Sequence, residues 1–136
     1  MIELIYTYPT LEETVPMKIH ESAENYLEAI LIIKNEKGSV RSIDIANHLN
    51  FSKPSVSVAM KNLRENGYIS IDPDGSIYLE ESGRKIAEKI YERHTLLSDW
   101  LTRLGVPRDI ATEDACRIEH VISEESFSAI KSHVKK

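Results

Sequence analysis

One cysteine, one tryptophan and two phenylalanines are all that this 136-residue chain holds of those three residue types. A lone cysteine excludes an internal disulfide framework and leads one to expect a reducing, cytoplasmic setting. It leaves a single thiol, Cys116, for ligation, catalysis or plain burial. Long apolar runs are also lacking. None approaches the ~20 residues of a membrane span, and the N-terminus has no basic-then-apolar leader pattern, so no membrane partner is expected. Positive charge is in deficit, with 17 Lys and Arg against 22 Asp and Glu. That balance does not mark a nucleic-acid binder, but it is unevenly spread. Residues 1–16 hold three acids and no base, residues 17–71 seven bases against six acids, and residues 72–136 ten against thirteen. A near-neutral first half can still present a basic face, while an acidic second half suits a cation.

What is present reads mainly as helix. Residues 1–16, with Pro9, Pro16 and the alternation Ile2, Leu4, Tyr6, Tyr8, suggest an extended arm or edge strand. From Ser22, apolar residues recur at helical spacing up to Lys34, and Gly38 stops the pattern. A short helix over about 42–49, a tight turn at Asn50-Phe51 and a second helix from Pro54 to about Asn66 follow. Ser52 is the expected cap of that second helix, and Pro54 falls in its first turn, where no N–H is missed. Ile45, Ala46 and Leu49 can pack on Val56, Met60 and Leu63, which is a helix-turn-helix. Alternating residues 67–71 and 76–79, joined by Asp72-Pro73-Asp74-Gly75, add two strands and make it winged. Three further helices are expected over 82–104, 108–123 and 124–136. The division is an arm at 1–16, a winged-helix domain at 17–81 and a helical domain at 82–136.

The densest chemistry lies at Cys116, Glu119 and His120. At 100° per residue, Glu119 lies roughly 60° to one side of Cys116 and His120 roughly 40° to the other, so all three share one arc of a helix. His94 falls in the apolar stripe Ile86, Ile90, Leu97, Leu101, and so points inward. Asn25 and Glu28, three apart, share a face of the first helix. Taken singly these have blander readings: a satisfied core histidine, or a cysteine acting as a small hydrophobe. An inward carboxylate at Glu119 is harder to explain, because it needs a cation or several donors. Taken together the six residues point to a metal site. Its mixed thiolate, imidazole, carboxylate and amide donors suit Fe²⁺, Mn²⁺, Co²⁺, Ni²⁺ or Zn²⁺ and disfavour Ca²⁺ and Mg²⁺.

Arg41, Ser52, Lys53, Pro54, Ser55, Ser57 and Lys61 are the candidate DNA-contacting residues. Small hydroxyls near a helix N-terminus can bond phosphates or base edges, and lysines neutralise phosphate. The bland alternative is a solvated helix face.

The run Ala115-Cys116-Arg117-Ile118-Glu119-His120-Val121-Ile122-Ser123 resembles the metal-binding signature of the diphtheria toxin repressor and manganese transport regulator family. So do Asn25-Tyr26-Leu27-Glu28-Ala29-Ile30, the Ile-Ala-x-x-Leu and Ser-x-Pro-Ser-Val pattern through 45–56, and Arg93-His94. These four segments match in order across about 18–133. The resemblance implies a dimeric winged-helix repressor that binds operator DNA when loaded with Fe²⁺ or Mn²⁺, in the short form without an SH3-like domain. It places Glu28, His94, Cys116, Glu119 and His120 on ligand positions. Asn25 falls where manganese-type members have Asp and iron-type members have Met. Cys116 matches the iron type and Glu28 the manganese type, while Ser98 and Thr112 replace the Glu and His of the iron-type ancillary site.

Two other classes compete. A thiol- or metal-dependent hydrolase would use Cys116, Glu119 and His120, but these share one helix and no Gly-rich nucleophile turn accompanies them. A winged-helix regulator that senses a small ligand or oxidation of Cys116 differs from the metal reading in one measurable respect, stoichiometric metal content.

Overall fold

The computed structural model describes residues 11–135, with side chains from residue 21 onward. The expected alternation at Ile2 to Tyr8 lies outside that range. Helix α1 spans Leu11–Lys37. Residues 11–16 are thus helical, which corrects the extended arm expected there.

Helices α2 (Ser42–Leu49) and α3 (Lys53–Glu65) form the helix-turn-helix. The turn between them closes through Asn50, whose φ of 58° is left-handed, and through Phe51 N–H donating to the Ala46 carbonyl at 3.0 Å. Asparagine tolerates that conformation better than most residues. Ser52 caps α3, accepting from Ser55 N–H at 3.3 Å, with Pro54 in the first turn. Strands β1 (Ile69–Ile71) and β2 (Ile77–Leu79) pair antiparallel, Ser70 opposite Tyr78, and Ile77 N–H donates to the Val40 carbonyl at 2.8 Å. The wing is thereby tied to the start of α2.

One apolar core joins these elements: Leu27, Ile30, Val40, Ile45, Val56, Met60, Ile69 and Ile77 are buried together. Helix α4 (Glu81–Arg103) leaves the wing and runs back along α1. Its close approach requires Gly83, because a Cβ there would lie 2.2 Å from the Tyr68 carbonyl oxygen. Helices α5 (Arg108–Ile118) and α6 (Glu124–Val134) pack on the far half of α4 around Leu97, Ala115 and Phe127.

The second C-terminal helix departs from expectation at its end. A helix was expected to Ser123, whereas α5 stops at Ile118 and Ser123 instead caps α6, accepting from Ser126 N–H at 3.1 Å. The physical cause is Arg93. Its buried guanidinium, 5.3 Å above the Phe127 ring, donates to the carbonyls of Glu119 (3.1 Å) and Ile122 (2.8 Å). It satisfies carbonyls that a continuing helix would have bonded itself.

Candidate metal centre

Three elements converge between the two cores. Helix α4 contributes His94, the last turn of α5 contributes Cys116 and its cap residue Glu119, with His120 just beyond, and α1 contributes Glu24, Asn25 and Glu28. The Glu119 side chain is fully buried. One of its oxygens lies 3.0 Å from His94 Nδ1 and the other 3.4 Å from His120 Nε2. Cys116 Sγ lies 3.6 Å from the same His94 nitrogen. Donor atoms of His94, Cys116 and Glu119 all fall within 4.8 Å of one another, a spread that one cation can gather.

His120 faces the other way, toward α1. Its Nε2 sits 2.8 Å from Asn25 Oδ1 and its Nδ1 2.9 Å from Glu24 Oε1. Glu28 is buried beside Glu119, and Glu28 Oε2 and Glu119 Oε1 have no hydrogen-bond partner. Buried carboxylate oxygens without donors are costly unless a cation joins them. A cleft of about 430 Å³, lined by Asn25, Cys116, His120 and Val121 among others, opens beside the cluster.

The electrostatics have the same cause. Burial first, then the facing Glu119 carboxylate, pushes the Glu28 carboxyl up to about 7. Bonds from Cys116 and Glu119 raise His94 to about 10. Burial opposes charge on His120, but the Glu24 bond and the nearby carboxylates outweigh it and raise its pKa. Protons thus take up charge that the acidic cluster would otherwise leave unbalanced. A divalent cation would do the same with better geometry for mixed S, N and O donors.

All six expected ligand residues therefore lie in one continuous cluster, as a triad (His94, Cys116, Glu119) and a pair (Asn25, His120) linked through Glu28 and Glu119. The sequence reading missed Glu24, although it stands one helical turn before Glu28 on α1. It also missed the buried ties of Arg93.

On the DNA side, Ser52, Lys53, Pro54, Ser55, Ser57 and Lys61 are exposed around the start and outer face of α3. Ser52 Oγ is engaged with Ser55 as the cap. Arg41 turns away from that helix, its guanidinium donating to the Asp74 carbonyl at the wing tip. Asp72 is held by Ser76 N–H and by the Tyr78 hydroxyl, so the wing tip is acidic and internally bonded.

Residues 18–77 match the N-terminal DNA-binding domain of the iron dependent repressors, and residues 80–136 match their metal binding and dimerisation domain. Over 116 residues, 85% of this chain and 75% of the relative, it is 34% identical to the transcriptional regulator MntR of Escherichia coli O6:H1. The chain belongs to the iron dependent repressor family. Within the family it is also 33% identical to an uncharacterized HTH-type transcriptional regulator of Methanocaldococcus jannaschii, over 85% of this chain and 94% of that one. Among solved structures it is similar to a manganese-dependent transcriptional repressor in complex with manganese (TM-score 0.75, 25% identity, 83% of this chain and 52% of that one). The chain spans about half the length of such solved structures. The family resemblance read from the sequence is met, and with it a mainly helical fold with a winged helix-turn-helix. As a family member the protein is a metal-dependent, DNA-binding transcriptional regulator. Among the described residues no helix is long and apolar enough to cross a membrane.

Proposed function

We propose that this repressor responds to Mn²⁺ or Fe²⁺, held by Glu28, His94, Cys116, Glu119 and His120 with Asn25 as a further oxygen donor. Co²⁺, Ni²⁺ or Zn²⁺ can substitute, since the donor set is not selective by affinity alone. The single observation behind this reading is the pair of buried carboxylate oxygens, Glu28 Oε2 and Glu119 Oε1, that accept no hydrogen bond. They come from opposite halves of the chain, α1 and the end of α5.

A bound divalent ion supplies the positive charge that lets both carboxylates stay ionised and adjacent. The rest is done by the protein. Glu28 belongs to the helix whose Leu27 and Ile30 fill the winged-helix core, so its position follows the reading head (residues 17–81). His94, Cys116 and Glu119 belong to the helical half (residues 82–136). Without the cation the two carboxylates repel and the halves hinge; with it, Glu28 is clasped to Glu119. With a metal bound, His120 would keep its Nδ1–H donated to Glu24 and give up the Nε2 proton it shares here with Asn25 Oδ1, so that Nε2 ligates and the outer carboxylate orients the imidazole.

Repression requires two such chains. Successive major grooves on one face of operator DNA lie about 34 Å apart, so a homodimer engages both half-sites only when its reading heads are held at one spacing. The clasp thus acts as a population shift toward the DNA-competent arrangement. The sequence offers Leu96, Trp100, Leu101 and Phe127 as apolar candidates for the dimer interface. The first three are half-buried in the single chain, whereas Phe127, at 6% exposure, fills its own protomer's core beneath Arg93.

The test is to titrate metal-free protein with Mn²⁺, Fe²⁺ and Zn²⁺. Metal content, thermal stability and affinity for duplex DNA are followed at one fixed salt concentration, because DNA affinities depend steeply on salt. His120→Ala should remain a folded dimer and lose the metal-stimulated component. A variant as metal-responsive as wild type would refute the ligand set. Loss of DNA binding on thiol oxidation, with no metal present at any stage, would favour the redox alternative.

A further inference from the structure

The outward face of α3 is polar except at its centre. Val56, Met60 and Leu63 face the core. On the opposite side Val58 is 61% exposed. At 100° per residue, Pro54 and Asn62 lie one turn before and after it, with Ser55 and Lys61 flanking, and all are exposed. Glu65 lies two turns further along the same face, where its charge opposes close approach to phosphate. The N-terminal half of the helix is therefore the part that can enter a groove, and Val58 stands at its leading edge.

Folding gives no reason for a valine at that position. It fills no core, and a β-branched residue is a poorer helix former than alanine there. The major groove does supply a reason. Its base edges are donors and acceptors except at the pyrimidine C5 position, where thymine projects a methyl group and cytosine only a hydrogen. A valine pushed against a donor or acceptor buries a polar atom without a partner, which is unfavourable, and cytosine C5–H offers far less apolar surface than the thymine methyl. We infer that Val58 is a specificity-determining residue that packs on a thymine methyl in each operator half-site. The inference rests on the reading of the protein as a metal-activated DNA binder.

The experiment begins with Mn²⁺-loaded protein and a random duplex pool, from which the best-bound sequence is selected. Each thymine of that duplex is then replaced in turn by uracil, which removes only the methyl group. Wild type and Val58→Ala are compared on every duplex at fixed salt. The expected result is one symmetry-related thymine at which uracil weakens wild-type binding about fourfold per half-site, the worth of one buried methyl group. Val58→Ala should be indifferent to that same replacement while keeping wild-type thermal stability. Val58→Thr, which keeps one methyl, should retain part of the effect. Equal sensitivity of wild type and Val58→Ala at every thymine would overturn the assignment, as would no sensitivity in either. Failure to enrich any duplex with metal present would instead overturn the underlying reading, and this assignment with it.

Discussion

Glu28 and Glu119 bring two carboxyl groups together inside the protein, one from α1 and one from the end of α5, and each has an oxygen with no hydrogen-bond partner. Nothing in helix propensity or apolar packing favours such a meeting, and elementary electrostatics opposes it. The clasp proposed between the halves of the repressor follows from this contact.

The cost of the contact is measurable in metal-free protein. Glu28→Gln removes a charge held in a buried site whose pKa stands at about 7. At pH 8 the variant should be more stable than wild type by about 2 kcal/mol when both are kept in chelator, as read by thermal or denaturant unfolding. With Mn²⁺ added the order should reverse, because only wild type gains from the ion.

The pH dependence has a definite sign. Glu28 rises from 4.5 to about 7 and His94 from 6.5 to about 10, so the folded state holds both protons more tightly than the unfolded chain. Their contribution is whole below pH 4.5 for Glu28 and below pH 6.5 for His94. It is lost as pH rises through about 7 and about 10 respectively. Metal-free protein should therefore lose Tm from pH 5 toward pH 10 through these groups, while metal affinity strengthens because binding displaces the same protons. Calorimetry in buffers of different ionisation enthalpy should register proton release. A metal affinity that weakens as pH rises from 6 to 8 would contradict this.

Glu24 provides a separate handle on His120. Glu24→Ala removes the acceptor 2.9 Å from Nδ1 and should weaken metal affinity about 10- to 100-fold. Glu24→Gln, whose amide oxygen can still accept from the ring, should recover much of that loss. Equal affinities for wild type and Glu24→Ala would show that the imidazole needs no orienting partner.

Arg93 holds the turn on which Glu119 and His120 ride. Arg93→Met would leave the Glu119 and Ile122 carbonyls without their donor and remove the contact over Phe127. A loss of about 3 kcal/mol in stability is expected, with weaker metal binding. An unchanged Tm would mean that the turn is held by other contacts.

Most of this arrangement was legible in the sequence because it rests on spacing. The helix-turn-helix and wing followed from Ser52, Pro54 and the turn at Asp72–Gly75, and the shared arc of Cys116 and Glu119 survives in α5. Less legible was whatever depends on contact between distant segments. The end of α5 is set by Arg93 on α4, which no local pattern near Ile118 announces. His120 turns to α1 because the helix has already ended, where it meets Asn25, expected in the same cluster, and Glu24, which the arc argument did not reach. Phe127 reads with Ile130 and Val134 as one apolar face of the last helix, and only the fold shows that the Arg93 guanidinium covers it within its own chain.

The most direct test of the clasp is the metal increment in DNA affinity for wild type against Glu28→Gln, the one charged ligand contributed by the reading head. Affinity for the selected duplex is measured at fixed salt, with Mn²⁺ and with chelator. The clasp predicts tightening by Mn²⁺ of about tenfold or more in wild type, with most of that increment gone in Glu28→Gln and its DNA affinity in chelator no weaker than that of wild type. An increment equally large in both proteins would show that the α1 carboxylate takes no part in switching the repressor.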